Sequence, residues 1–220
     1  LEAACSGFIY GISVGSQFIK TGDYKTVLVV AAEALSRFID WTDRATCVLF
    51  GDGAGAVVLE ASESRNGLLS FVLGAHGVGE DLIKLPAGGA RLPATPETLE
   101  SGAHFIKMNG QEVYRFAVRI MGDSAIEALE KAGLRTEDIA LFIPHQANLR
   151  IISSIADRLG LDPEKIFIDI DKYGNTSAAS IPIALCEAVE AGRVKPGDNI
   201  LFVAFGAGLT SAASIVKWGC

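Results

Sequence analysis

Apolar positions along the chain recur with two periods, and their alternation predicts an α/β protein. Thr26 to Ala32 is an unbroken, largely β-branched run and predicts a strand buried on both faces, and the shorter runs Ile139 to Ile143, Ile166 to Ile170 and Asn199 to Ala204 predict further strands. Leu1 to Ala4 has the character of a buried strand's end. Thr46 to Phe50 and Ala54 to Glu60 predict two strands joined as a hairpin by Gly51-Asp52-Gly53, and Leu68 to Leu73 and Ser211 to Lys217 supply two more strands. Helical spacing marks Gln111 to Ala132 and Asn148 to Leu159, which Gly133 and Gly160 terminate. Ser6 to Lys20 is a helix with small residues on every side, which predicts packing on all faces, and Thr176 to Ala191 is a second helix built of small residues. Gly74 to Gly102 lacks either period and is expected to be an excursion.

The two ends of the chain repeat one pattern: a small-residue helix, a buried strand and a hairpin whose turn is Phe50-Gly51-Asp52-Gly53 or Phe205-Gly206-Ala207-Gly208. Internal duplication is the economical explanation, and two buried helices suggest a layered α-β-α-β-α sandwich with one helical layer between two sheets. The expected division is residues 1–76 for what remains of the first half, 77–106 for the connection and 107–220 for the second half. The chain opens mid-strand in character without an initiator Met, so it is expected to be a piece of a longer polypeptide whose first half lacks its N-terminal part.

Half of the 220 residues are apolar, enough for a large core, and no apolar run approaches the roughly 20 residues that span a bilayer. A net charge of -7 removes any general attraction to nucleic acid or an anionic membrane, so an anionic partner needs a local basic patch. Four scattered cysteines without a C-x-x-C pair favour reduced thiols and a cytoplasmic setting, and with three histidines at these spacings they form no metal-ligand cluster.

Cys5 follows a strand and opens a helix, where free N–H groups and the dipole favour a thiolate, so it is the candidate nucleophile. Cys47, Cys186 and Cys220 are read as inert, buried apolar residues. His145, in Pro144-His145-Gln146-Ala147-Asn148, stands at the carboxyl end of a strand, where α/β folds gather their sites. Asn175, in Gly174-Asn175-Thr176, would alone be read as a helix cap. Duplication, however, sets Cys5 and Asn175 before equivalent helices and so brings them together beside the strand of His145.

Four segments, Ala4-Cys5-Ser6-Gly7-Phe8, Phe50-Gly51-Asp52-Gly53-Ala54-Gly55-Ala56, His145-Gln146-Ala147-Asn148-Leu149-Arg150 and Gly174-Asn175-Thr176-Ser177-Ala178-Ala179-Ser180, together resemble the 3-oxoacyl-[acyl-carrier-protein] synthase III family, from Leu1 to about Trp218. The resemblance implies a thiolase-like fold, a homodimer, and a fatty-acid-initiating condensing enzyme with acyl-CoA and malonyl-ACP as substrates and no permanently bound cofactor. It implies that Cys5 carries the acyl group, that His145 and Asn175 promote decarboxylation, and that the oxyanion hole is formed by the N–H groups of Cys5 and Ala207, where the family often has glycine. It also implies that Arg44 stacks near the adenine of CoA and that Gly110 and Asn148 line the pantetheine channel. Arg115 and Arg119, four apart on one helical face, together with Arg150, form a patch that would dock an acyl carrier protein; an ordinary solvated face is the equal alternative.

A papain-like protease also orders its residues Cys, His, Asn, with a gap in the range of the 140 positions between Cys5 and His145, but that family's local cysteine signature is absent. The Gly51, Gly53, Gly55 series runs into a strand, which excludes a phosphate loop. A synthase III relative from secondary metabolism and a non-catalytic subunit or fragment that keeps only the fold are the remaining alternatives.

Overall fold

The computed structural model describes residues 1–63 and 66–219. Cys220 lies outside the described residues. The elements run α1 (Gly7–Lys20), β1 (Thr26–Ala34), β2 (Asp52–Glu60), β3 (Gly67–Ala75), β4 (Ile83–Lys84), α2 (Pro96–Glu100), β5 (Lys107–Met108), α3 (Gly110–Ala132), β6 (Leu141–Pro144), α4 (Leu149–Leu159), α5 (Ile170–Tyr173), α6 (Ser180–Glu190), β7 (Asn199–Gly206) and β8 (Thr210–Lys217).

A four-stranded sheet, ordered β3-β8-β7-β6, forms the centre of the molecule. Its β7 strand is apolar from Ile200 onward, in keeping with cover on both of its faces. Leu201, Val203 and Phe205 pack with α3 and α4, while Ile200, Phe202 and Ala204 face α1 and α6. Phe202 is buried edge-on to Phe8 of α1, with ring centroids 6.2 Å apart, and truncating it to alanine would cost about 3–5 kcal/mol. On the far side of α1 and α6 lies the second sheet, the antiparallel pair β1-β2. The described residues thus stack as helices, sheet, helices, sheet.

Caps and stripes explain why the outer helices form where they do. Asn109 accepts from the Glu112 N–H at the start of α3, and Gly133, at φ 67°, closes it; between them Val113, Ala117, Met121, Ala125 and Ala128 make one buried stripe. The inner helices approach their sheet through glycines. A Cβ on Gly11 would sit 2.8 Å from Val29, and on Gly55 2.9 Å from Pro182 of α6. The alternating glycines of β2 are therefore contact points between sheet and helix.

Several expectations are corrected. Leu1 to Ala4 forms no strand, because Ala4 turns into the left-handed region at φ 46° and a 3-10 turn, Ala4–Ser6, follows. Thr46 to Phe50 is a series of turns held by Asp43, whose carboxylate accepts from the Ala45 N–H and the Thr46 hydroxyl. No hairpin forms at Gly51-Asp52-Gly53: β2 pairs with β1 in a register that sets Asp52 opposite Ala34, so only the β7-β8 end makes a tight hairpin. Ile166 to Ile170 contributes one bridge, Ile166 to Phe142, before the chain coils into α5. The β1 strand is buried on one face only. Leu28 and Val30 are 64% and 58% exposed, since α1 covers the side of Val29 and Ala31 and nothing among the described residues covers the other. For the same reason α1 is not packed on all faces, and Val14 and Phe18 reach the surface. Cys47 is half-buried in a turn and Cys186 is exposed, which corrects their reading as buried thiols.

Candidate active site

Cys5 sits in the middle of the Ala4–Ser6 turn that leads into α1. A left-handed alanine costs roughly 1–2 kcal/mol, so the turn must be held from outside. Thr210 at the start of β8 donates to the Ala3 carbonyl (2.8 Å), and its oxygen lies 3.2 Å from the Ser6 hydroxyl. Gly206 completes the support, because a Cβ there would stand 2.7 Å from the Cys5 nitrogen.

The equivalent point of the second half repeats this geometry. Ser177, at φ 51°, is the other non-glycine residue with positive φ among the described residues, and it too opens a 3-10 turn, Ser177–Ala179, before α6. Asn175 lies just upstream. Its backbone is clamped between the Leu49 carbonyl (2.8 Å) and the Gly51 N–H (2.9 Å), an approach so close that a Cβ on Gly51 would meet the Tyr173 carbonyl oxygen at 2.1 Å. Its Oδ1 accepts from the Ser177 N–H (2.8 Å), which leaves the amide's N–H donors for other partners. The cap expected of Asn175 is thus a local turn bond, and its carboxamide lines a cavity.

His145 is placed by the sheet: β6 runs parallel to β7, and the His145 N–H donates to Val203 (2.8 Å). The imidazole is fully buried, edge-on to Phe205, with Nδ1 2.7 Å from the Ser180 hydroxyl and Nε2 without a hydrogen-bond partner among the described residues. Cys5, His145 and Asn175 line one cavity of about 570 Å³, together with Phe205, Gly206 and Ala207.

Burial controls the charge state of both titratable groups. It pushes the Cys5 thiol up from 9 to about 11; a hydrogen bond with Ser177 pulls the other way, and the charge of Glu33 adds to the rise. The thiolate expected from the helix start is thereby corrected. A helix terminus offers about 0.3–1 kcal/mol, whereas a two-unit rise corresponds to about 2.7 kcal/mol, so desolvation wins. Burial likewise drives His145 down to about 3, which leaves roughly one imidazole in 10⁴ protonated at pH 7. The cavity therefore holds one neutral sulfur, one neutral imidazole and one carboxamide.

Gly110, Asn148 and Arg150 line the same cavity. Asn148 also caps α4, its Oδ1 accepting from the Arg150 N–H (2.9 Å). Arg44 is exposed beside Ala45, which lines the cavity although Arg44 does not. Arg115 and Arg119 are exposed on α3 away from the lining, and Arg115 pairs with Glu112 at 2.7 Å. Sequence reasoning missed Ser177 and Ser180, the partners of Asn175 and His145; polar residues buried at a helix start were the signal available.

Residues 1–77 match the family model 3-oxoacyl-[acyl-carrier-protein (ACP)] synthase III, and residues 129–218 match the model of its C-terminal part. The beta-ketoacyl-[acyl-carrier-protein] synthase III of Roseiflexus sp. strain RS-1 is 56% identical over 99% of the chain and 66% of its own length. The chain belongs to the 3-oxoacyl-[acyl-carrier-protein] synthase III family. Among solved structures, the synthase III of Thermus thermophilus superposes with a TM-score of 0.90 at 50% identity, and that of Aquifex aeolicus VF5 with 0.90 at 48%; each match covers 99% of this chain and 66% of the other. The layered, duplicated architecture is accordingly the thiolase-like fold of this family, and the chain spans about two thirds of the length of these synthase III relatives. No helix among its described residues is long and apolar enough to cross a membrane.

Proposed function

We propose that the protein is a condensing enzyme that starts fatty acid synthesis by joining an acyl group from acyl-CoA to malonyl-ACP. The observation that carries this reading is the meeting of the Cys5 sulfur with two neutral N–H donor groups, His145 and Asn175, at one cavity. In the first step the Cys5 sulfur attacks the acyl-CoA carbonyl, a thioester forms on Cys5, and CoA leaves with the thiol proton. In the second, malonyl-ACP loses carbon dioxide while the imidazole N–H and the Asn175 amide N–H stabilise the enolate oxygen. The carbanion then attacks the acyl-Cys5 carbonyl, whose oxyanion meets the backbone N–H groups of Cys5 and Ala207, and 3-oxoacyl-ACP departs as the cysteine sulfur is released. A histidine held near pKa 3 suits this role, because it donates a hydrogen bond without taking up a proton.

The remaining assignments belong to the same proposal. Gly110 and Asn148 flank the pantetheine arm, Arg44 meets the nucleotide of CoA outside the cavity, and Arg150 at the lining, with Arg115 and Arg119 beyond it, receives the acidic carrier protein. The protein acts as a cytoplasmic homodimer with no permanently bound cofactor. Incubating the intact protein with labelled acyl-CoA tests the central claim: Cys5→Ala should abolish covalent labelling, and His145→Ala should keep labelling but lose release of carbon dioxide from malonyl-ACP. Undiminished labelling of the Cys5→Ala variant would refute it.

A further inference from the structure

We propose that Ser180 is a positioning residue that fixes which nitrogen of His145 carries the proton. Ser180, the first residue of α6, is 2% exposed, and its hydroxyl has two neighbours: the Gln146 N–H, which donates to it at 3.3 Å, and His145 Nδ1 at 2.7 Å. The Gln146 bond occupies a lone pair of Oγ. The hydroxyl hydrogen then has one acceptor among the described residues, His145 Nδ1, and donating there makes Nδ1 the unprotonated nitrogen. The imidazole proton is left on Nε2, the buried nitrogen that has no partner among the described residues, on a ring that lines the cavity beside Cys5 and Asn175. With the opposite assignment, Nδ1–H would donate to Oγ, the serine hydrogen would have no acceptor, and the cavity would meet a lone pair in place of a donor.

The surrounding bonds hold this arrangement rigid. The Gln146 side chain is tied at both ends, Nε2 donating to the Pro144 carbonyl (2.9 Å) and the Phe167 carbonyl (3.3 Å), and Oε1 accepting from the Asp169 N–H (3.2 Å). The N–H that directs Ser180 is thereby fixed in the loop after β6. Outer partners of this kind set the tautomer and orientation of a working histidine. The consequence for catalysis rests on the proposal above that His145 donates to the enolate oxygen; the tautomer itself does not.

Nitrogen-15 spectra of the intact protein, with His145 identified by its loss in His145→Gln, test the assignment directly. The expected spectrum has a protonated Nε2 and an unprotonated Nδ1, and a protonated Nδ1 would overturn the proposal. In Ser180→Ala the two nitrogens should move toward a tautomer average. Decarboxylation of malonyl-ACP should fall at least about tenfold while acyl transfer from acyl-CoA to Cys5 stays within about twofold, and Ser180→Thr should restore both spectrum and rate. Unchanged shifts and rate in Ser180→Ala would reject the role. A correct spectrum in a protein that releases no carbon dioxide would leave the tautomer standing and refute the functional reading alone.

Discussion

A histidine buried in its neutral form makes stability fall in mild acid, and at His145 the size of the effect can be worked out. Its folded pKa is about 3 against an ordinary 6.5, with burial as the cause. Because the folded value is depressed, the unfolded chain takes the proton first as pH drops below 6.5, and stability is lost progressively until about pH 3. Between pH 7 and pH 5 the cost is about 1.4 pKa units, or about 2 kcal/mol. Asp169 acts in the opposite sense. Desolvation, reinforced by Glu187, raises its pKa to about 6, so its contribution is complete below the ordinary 3.8 and is lost as pH rises through 6. The wild-type curve alone would therefore hide the histidine, and the comparison must be with His145→Gln, which removes one titration and keeps the other. Urea unfolding of both proteins at pH 7 and pH 5, followed by tryptophan fluorescence, is the assay. With a slope of about 2–3 kcal/mol per molar urea, the wild-type midpoint should fall by about 0.7–1 M more than that of the variant. Midpoints that fall in parallel would show that His145 is not held neutral by burial, and the argument for an uncharged donor would fail with it.

Two further outcomes are expected. Alkylation of Cys5 by iodoacetamide, read by mass spectrometry so that Cys47 and Cys186 are counted separately, should accelerate about tenfold per pH unit through 9 and bend only near 11; a bend at or below pH 8 would mean that the helix start outweighs burial after all. Arg150→Glu should raise the KM for malonyl-ACP at low ionic strength, with the difference shrinking as salt is added; equal KM values at all salt concentrations would remove Arg150 from the docking patch.

How far the fold could be read from the sequence depended on whether a local signal decided the structure. The ends of α3 and α4 were legible to within a residue because caps and terminating glycines are local: Asn148 and Gly160 bracket α4, and Gly133 closes α3. Thr46 to Phe50 was misread for the opposite reason. Its β-branched and aromatic residues satisfy a strand pattern, but Asp43 offers their backbone a turn, and the one bridge that Phe50 makes is to Asn175, 125 positions away. That β1 is buried on one face only was also out of reach, since periodicity reports which side chains are apolar and not which neighbours are present to cover them. Leu28 and Val30 are as apolar as Val29, and only the position of α1 separates them.

The candidate site divides along the same line. Cys5, His145 and Asn175 each sit where a strand or turn meets a helix, a place that residue order reveals, so their convergence on one cavity was foreseeable. The charge state of Cys5 was not, because it depends on burial of the sulfur, on its hydrogen bond with Ser177 and on the charge of Glu33, and these partners come from separate stretches of chain. The duplication ties these facts together. Ala4 and Ser177 hold the same left-handed backbone at matching points of the two halves, yet only the first is followed by a cysteine; its counterpart is followed by Ala178, whose N–H donates to Glu33 (3.3 Å). One strained turn has thus been used twice, once to present a sulfur and once, through the Ser177 N–H, to orient the carboxamide of Asn175. A pair of related turns packed against each other at the starts of two helices of one layer is a sufficient physical reason for a nucleophile and a donor to meet at one cavity, although they are 170 positions apart in the chain.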